Sequence, residues 1–334
     1  MDRATTSVLA SGLLAVGSLV AGCSNEPEPL GRGGDYSVYD ALGELPSSVG
    51  EENGPVFTGD LTRAGELAGL EPPNDPDDEA AGDWVLGLNG RSVGDDPAEV
   101  FVPMPTTLTG GSQTEKEEQV GWSVVDVESF VATNDFLVAS GEFDDDTLSE
   151  HLVEVDGEIV TDVEGEDHEE HPDQPTAFDY DGAPTRFAHD DGRIAASSEA
   201  DAVRGWLDDE ESLADDDAYA DVARALDDGD AYAAMLLPMS GSEESYDLVG
   251  IGWSEDDDAP LVSTAFHFES GDAARDSVDE LRERFDLDPV GDHLEVEDAD
   301  TKGSSVVVTT RPEEGAIDVL MRAVVTFGPP FNGG

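Results

Sequence analysis

The sequence predicts an α+β fold in which antiparallel sheets carry helices packed on one face. Three observations predict it. β-rich runs come in pairs around tight-turn residues, apolar stripes of helical period follow them, and the order strand, strand, helix recurs in both halves of the chain. The recurrence reads either as two duplicated α+β modules or as the chance order of an α+β chain.

Taken in order, Gly54 to Leu70 reads as a short strand and then a helix, with Asp60 as N-cap and Leu61, Ala64, Leu67 and Ala68 on one face. Glu71 to Asp83 is expected as an acidic loop, Trp84 to Val93 as a hairpin about Asn89-Gly90, and Gly110 to Gln119 as a surface loop. From Val120, two β-rich runs turn near Asn134-Asp135, and a short helix with Leu148 and Leu152 follows. A hairpin turns at Asp191-Gly192. Ser198 and Asp201 then resemble a capping box ahead of Val203, Trp206 and Leu207, and Tyr219, Val222 and Leu226 stripe a further helix.

The second half reads as three strands, a helix striped by Ala274, Val278, Leu281 and Phe285, and a hairpin. A final apolar helix is stopped by Gly328-Pro329-Pro330. Over Val120 to Pro238 the rhythm is similar to a widespread module of uncharacterised extracytoplasmic bacterial and archaeal proteins. That resemblance carries no chemical motif and no activity. The expected division is a signal peptide over 1–22, a lipidated Cys23 with a flexible tether over 23–35, an N-terminal α+β segment over 36–119, and α+β modules over 120–230 and 231–334.

Charge narrows the partners. The chain holds 80 Asp and Glu against 15 Lys and Arg, for a formal net charge of -65, yet 38% of it is hydrophobic, enough for a core. Lys116 and Lys302 are the only lysines. Such a charge repels itself in dilute buffer, whereas at 1 M salt the screening length is only about 3 Å. Acid spread along the whole chain with lysine nearly absent resembles proteins of halophilic archaea. No basic patch exists to displace counterions from phosphates, which excludes nucleic acid as a partner. The folded body is equally unsuited to adsorb on an anionic membrane, so attachment must be covalent or through an apolar segment.

The N-terminus offers the covalent route. Ser7 to Val20 is apolar, too short to span a bilayer comfortably but of the length of an export signal's hydrophobic region, and Arg3 precedes it. Val20-Ala21-Gly22-Cys23 follows, and resembles the lipobox of exported lipoproteins. The resemblance implies that the chain is cut before Cys23, whose sulfur takes a lipid. Cys23 is the only cysteine, which leaves no intramolecular disulfide, and its Pro/Gly-rich flank neither buries it nor activates it as a nucleophile. No Arg-Arg pair precedes the apolar run, so the export route stays open.

Candidates for chemistry are few. His168 and His171 lie three apart beside Glu169, Glu170 and Asp173, ligand types for Zn, Cu or Ni, on a loop flanked by Pro172 and Pro175. The alternative is a solvated acidic loop with two ordinary histidines. No nucleophile elbow, phosphate loop or calcium loop is present, and acidic runs such as Asp215 to Asp217 suit helix starts. The four tryptophans read as core, with a ligand cleft as the alternative. The expected function is a membrane-anchored binding or interaction module of the cell envelope, not an enzyme, with an unidentified envelope protein or solute as partner. The alternative is a metal-binding protein or metal-dependent enzyme built on His168 and His171.

Overall fold

The structure is a computed structural model. It describes residues 27, 29–30, 36–50, 54–73, 78–90, 100–110, 112–143, 153–155, 159–161, 186–190, 192–197, 199–208, 210–239, 245–256, 259–287, 291–313 and 316. The first part of the chain forms α1 (Val38–Gly43), α2 (Ser47–Gly50), β1 (Val56–Asp60), α3 (Leu61–Ala68), α4 (Asp78–Leu88), α5 (Thr106–Thr109) and α6 (Gln113–Val120). The middle forms β2 (Val127–Ala132), β3 (Phe136–Gly141), β4 (Val153–Val155), β5 (Ile159–Thr161), β6 (Arg186–Asp190), β7 (Arg193–Ser197), α7 (Ala200–Leu207) and α8 (Asp217–Asp227). The last part forms β8 (Ala233–Pro238), β9 (Tyr246–Asp256), β10 (Ala259–Phe268), α9 (Gly271–Phe285), β11 (Leu294–Lys302) and β12 (Ser305–Pro312).

The class is α+β, with every described strand in one 12-stranded antiparallel sheet ordered β11-β12-β10-β9-β8-β1-β2-β3-β7-β6-β5-β4. β1 and β8 pair within it, with Thr58 opposite Ala234. Outward from β1 the order is β2, β3, β7, β6; outward from β8 it is β9, β10, β12, β11. Both flanks thus begin with two hairpins laid side by side, the second one reversed, and the β1 flank alone continues into the β5–β4 hairpin. The sheet is continuous across 119/120 and 230/231, with β1 seated between β2 and β8.

The expectation of helices on one face is corrected. Apolar residues occupy alternate positions on both faces of the inner strands, and two cores result. One takes Phe130, Leu137, Met235, Ile251 and Phe266 from the sheet and packs them under α3, α4, α6 and α9. The other takes Val131, Phe136, Val138, Leu236 and Ala265 and packs them under α1, α7 and α8. All six residues of β3 are buried, as a strand covered on both sides requires.

Several elements follow the sequence closely. Asp60 caps α3 through the Arg63 amide at 2.8 Å, with Leu61 and Ala64 buried. The turns at 134–135 and at Gly192 (φ 75°) close β2–β3 and β6–β7. Ala274, Leu281 and Phe285 bury the stripe of α9.

Others differ. Residues 78–88 form α4 in place of the end of a loop and a hairpin, because Ala81, Trp84 and Leu88 recur at helical spacing and face the core. Residues 113–120 form α6, since Gln113 and Lys116 turn inward despite being polar. α7 starts after Glu199, which makes no side-chain cap bond, and Ser198 of the expected Ser198–Asp201 box lies outside the described residues. The helix around Leu148 and Leu152 and the final apolar helix lie outside the described residues.

Two glycines of β9 let α8 approach the sheet. A Cβ on Gly250 would lie 2.3 Å from Val222 Cγ1, and one on Gly252 would lie 3.1 Å from Leu226 Cδ2. Gly250→Ala is therefore expected to lose about 1–3 kcal/mol as α8 is pushed from the sheet. Urea unfolding in molar KCl checks this, and a midpoint equal to wild type would refute the close fit.

Candidate functional site

Among the described residues, each face of the sheet carries a concavity. On the α3/α4 face a cleft of about 640 Å³ opens between the end of α3, Trp84 of α4 and the start of β2. Gly69 (φ 64°) ends α3 in the left-handed region, and the Leu70 amide returns to the Gly65 carbonyl at 2.8 Å, which shapes one wall. Glu66, Glu71, Asp126, Glu128 and Glu142 line the cleft, with no Lys or Arg among the described lining residues. Asp126 is already committed, accepting from the Ser123 amide at 2.7 Å and the Ser123 hydroxyl at 3.2 Å. Trp84 is 6% exposed and its buried indole N–H has no hydrogen-bond partner. Carboxylates around an indole suit a cationic ligand with some apolar surface and repel phosphates and carboxylates.

On the other face a groove of about 750 Å³ is lined by Pro27, Pro29, Glu44, Arg193, Trp206 and Glu210 among others. Its base is a buried polar cluster. Glu44 Oε1 accepts from Arg193 Nη1 at 2.8 Å and from the Leu30 amide at 2.8 Å, while Glu44 Oε2 accepts from the Trp206 indole N–H at 2.7 Å. The guanidinium also reaches Asp190 at 2.6 Å and lies 5.3 Å from the Trp206 ring. Burial opposes the charge on Arg193, but Glu44 and Asp190 outweigh it and hold its pKa above the ordinary value.

Glu44 is placed by α1, and α1 is pinned at its other end. Asp227 accepts from the Ser37 hydroxyl, the Val38 amide and the Tyr39 amide at 2.9, 2.6 and 3.1 Å. Burial raises the Asp227 carboxyl above its ordinary range despite those three donors.

Leu30 departs from the free tether expected over 23–35: it is 3% exposed and joins the core under α1. Pro27 packs on Gly43, where a Cβ would lie 2.6 Å from Pro27 Cβ.

A third group carries residue types found in catalytic machinery. His267 Nδ1 lies 2.7 Å from Asp247 Oδ1, and Ser305 is opposite His267 across the β10–β12 pair. Ser305 Oγ is buried with no hydrogen-bond partner, so the bond a nucleophile would make to its base is missing.

The residues singled out in the sequence, namely Val20, Ala21, Gly22, Cys23, His168 and His171, all lie outside the described residues. Among the described residues no group of three or more His, Cys, Asp or Glu is placed to hold a metal ion, and no helix is long and apolar enough to cross a membrane. All four tryptophans are buried, as expected for core, and Trp84 also walls the cleft. Sequence reasoning missed the Glu44–Arg193–Trp206 cluster, whose members lie 149 and 162 positions from Glu44. It also missed the burial of Lys116, although its signal was present: Lys116 is one of two lysines kept by a chain that otherwise avoids them.

No family model matches the chain, and no curated protein matches it. A solved structure described as "Structure of crystal form I of TP0453" is similar at a TM-score of 0.42 and 8% identity, over 86% of this chain and 98% of that one. A likeness that distant carries nothing about function.

Proposed function

We propose that the protein is a lipoprotein held at the outer face of the cell membrane through Cys23, and that its folded body works there as a binding module. The observation that carries this reading is the run Ser7 to Val20 ending in Val20-Ala21-Gly22-Cys23, followed within a few residues by the folded body. The acid-rich surface supports a life in molar salt, where self-repulsion is screened. The ligand-facing feature is the acidic cleft beside Trp84, whose chemistry favours a cation with apolar surface, such as an organic amine or a basic side chain of a partner protein. The matching strand order on the two flanks of the sheet supports an origin by duplication of a five-strand unit, with β1 and β8 as the joined edges.

Cys23→Ser tests the anchor. The wild-type protein is expected in the membrane fraction after a wash in molar salt, and the variant is expected to leave it by more than tenfold. Retention of the variant on washed membranes would sink the reading.

A further inference from the structure

The anchor sets which way the body faces. Resting on the Cys23 reading, we propose that the groove on the α1/α7 side is a strap site that docks the anchor segment, apposes that side of the body to the lipid headgroups and turns the acidic cleft away from the membrane.

Three observations converge. The chain is seated on the body at Pro27 and Leu30: Leu30 is 3% exposed, its amide donates to Glu44 at 2.8 Å, and Pro27 rests on Gly43. The carboxylate that takes the Leu30 amide is itself fixed by the Arg193 guanidinium and the Trp206 indole, so its hold does not depend on a mobile side chain. The chain length then limits the rest. Four residue steps separate Cys23 from Pro27, a reach of at most about 14 Å. A free tether running to Tyr36 would span about 20 Å on average and far more when extended, and would let the body tumble. The docked strap removes that freedom. The cleft by Trp84 belongs to the opposite side of the sheet, under α3 and α4, and so opens toward the exterior. Carboxylates of the strap side, including Asp190 and Glu210, tolerate headgroup phosphates because molar salt screens them within about 3 Å.

The test uses the full-length lipoprotein in vesicles with an acceptor dye on the headgroups, in molar KCl. Lipid occupies Cys23, so a thiol introduced by Glu210→Cys on the strap side or by Glu71→Cys at the cleft rim takes the donor dye alone. Energy transfer from position 210 is expected to exceed that from position 71 by at least about twofold, given the short reach of the strap. Leu30→Gly frees the strap, and Gly43→Ala displaces Pro27 without touching Glu44. Each is expected to bring the two transfers together while the protein still floats with the vesicles. Equal transfer from both positions in the otherwise wild-type chain, with flotation intact, overturns the orientation alone. A chain that does not float overturns the anchor reading, and the orientation with it.

Discussion

Glu44→Ala is expected to cost the fold about 3–5 kcal/mol, because it leaves a buried cation without its partner. Glu44 is 4% exposed and its side chain faces an Arg193 side chain that is 18% exposed. Truncation strands three donors together: the guanidinium, the Trp206 indole N–H and the Leu30 amide. Asp190 remains on Arg193, but it is more than half exposed and cannot replace a buried carboxylate. The pair is costly to break and easier to replace. Glu44→Leu combined with Arg193→Met removes both charges and is expected to recover the part of the loss due to the stranded guanidinium, while the Trp206 N–H and the Leu30 amide stay unpaired. Urea unfolding in molar KCl reads all three proteins. If Glu44→Ala shifts the midpoint no more than Glu71→Ala at the exposed cleft rim, the cluster does not hold the fold as described.

The second large effect is a pH dependence centred on Lys116. Its side chain is 4% exposed, with Nζ 3.2 Å from the Leu108 carbonyl and 4.0 Å from the centre of the Trp122 ring. Burial lowers its pKa to about 7, against the opposing pull of Asp126. In the unfolded chain the ordinary value of 10.5 returns. Between those values the unfolded state binds more protons, so stability rises with pH from about 7 to 10.5 and levels off above. At about 1.4 kcal/mol per pH unit the full rise is roughly 3–5 kcal/mol. Lys116→Met removes the titrating group, and its stability is expected to stay flatter over that window while the wild type climbs. Parallel curves for the two proteins would show that Lys116 keeps its proton in the folded state.

Local chemistry made much of the fold legible. Asp60 capping α3, the turn at Gly192, and the α9 stripe of Ala274, Leu281 and Phe285 are each written within one turn of chain, and each stands where the sequence put it. The number of helical layers was harder to read. Runs such as Phe136 to Gly141 are apolar at both parities, which signals two covered faces only when weighed over the whole sheet. α4 was masked by acid and glycine around Ala81 and Trp84, and α6 by its polar composition. The candidate sites depend on distance in sequence. Glu44, Arg193 and Trp206 meet only because α1, β7 and α7 share one side of the sheet. The cleft joins residues from Leu61 to Glu142 that no spacing connects. Leu30 reads as part of a polar, Pro/Gly-rich tether, yet one apolar side chain and one amide are enough to dock it when a cavity and a fixed carboxylate await.

The proposed attachment of this body to a membrane through Cys23 leaves a covalent mark on the chain. The most direct measurement is the intact and peptide mass of the protein extracted from its own cells' membranes. A chain beginning at Cys23, without residues 1–22, whose N-terminal peptide carries added lipid mass is the expected result. A chain that still begins at Met1, with a free thiol at Cys23, would contradict it.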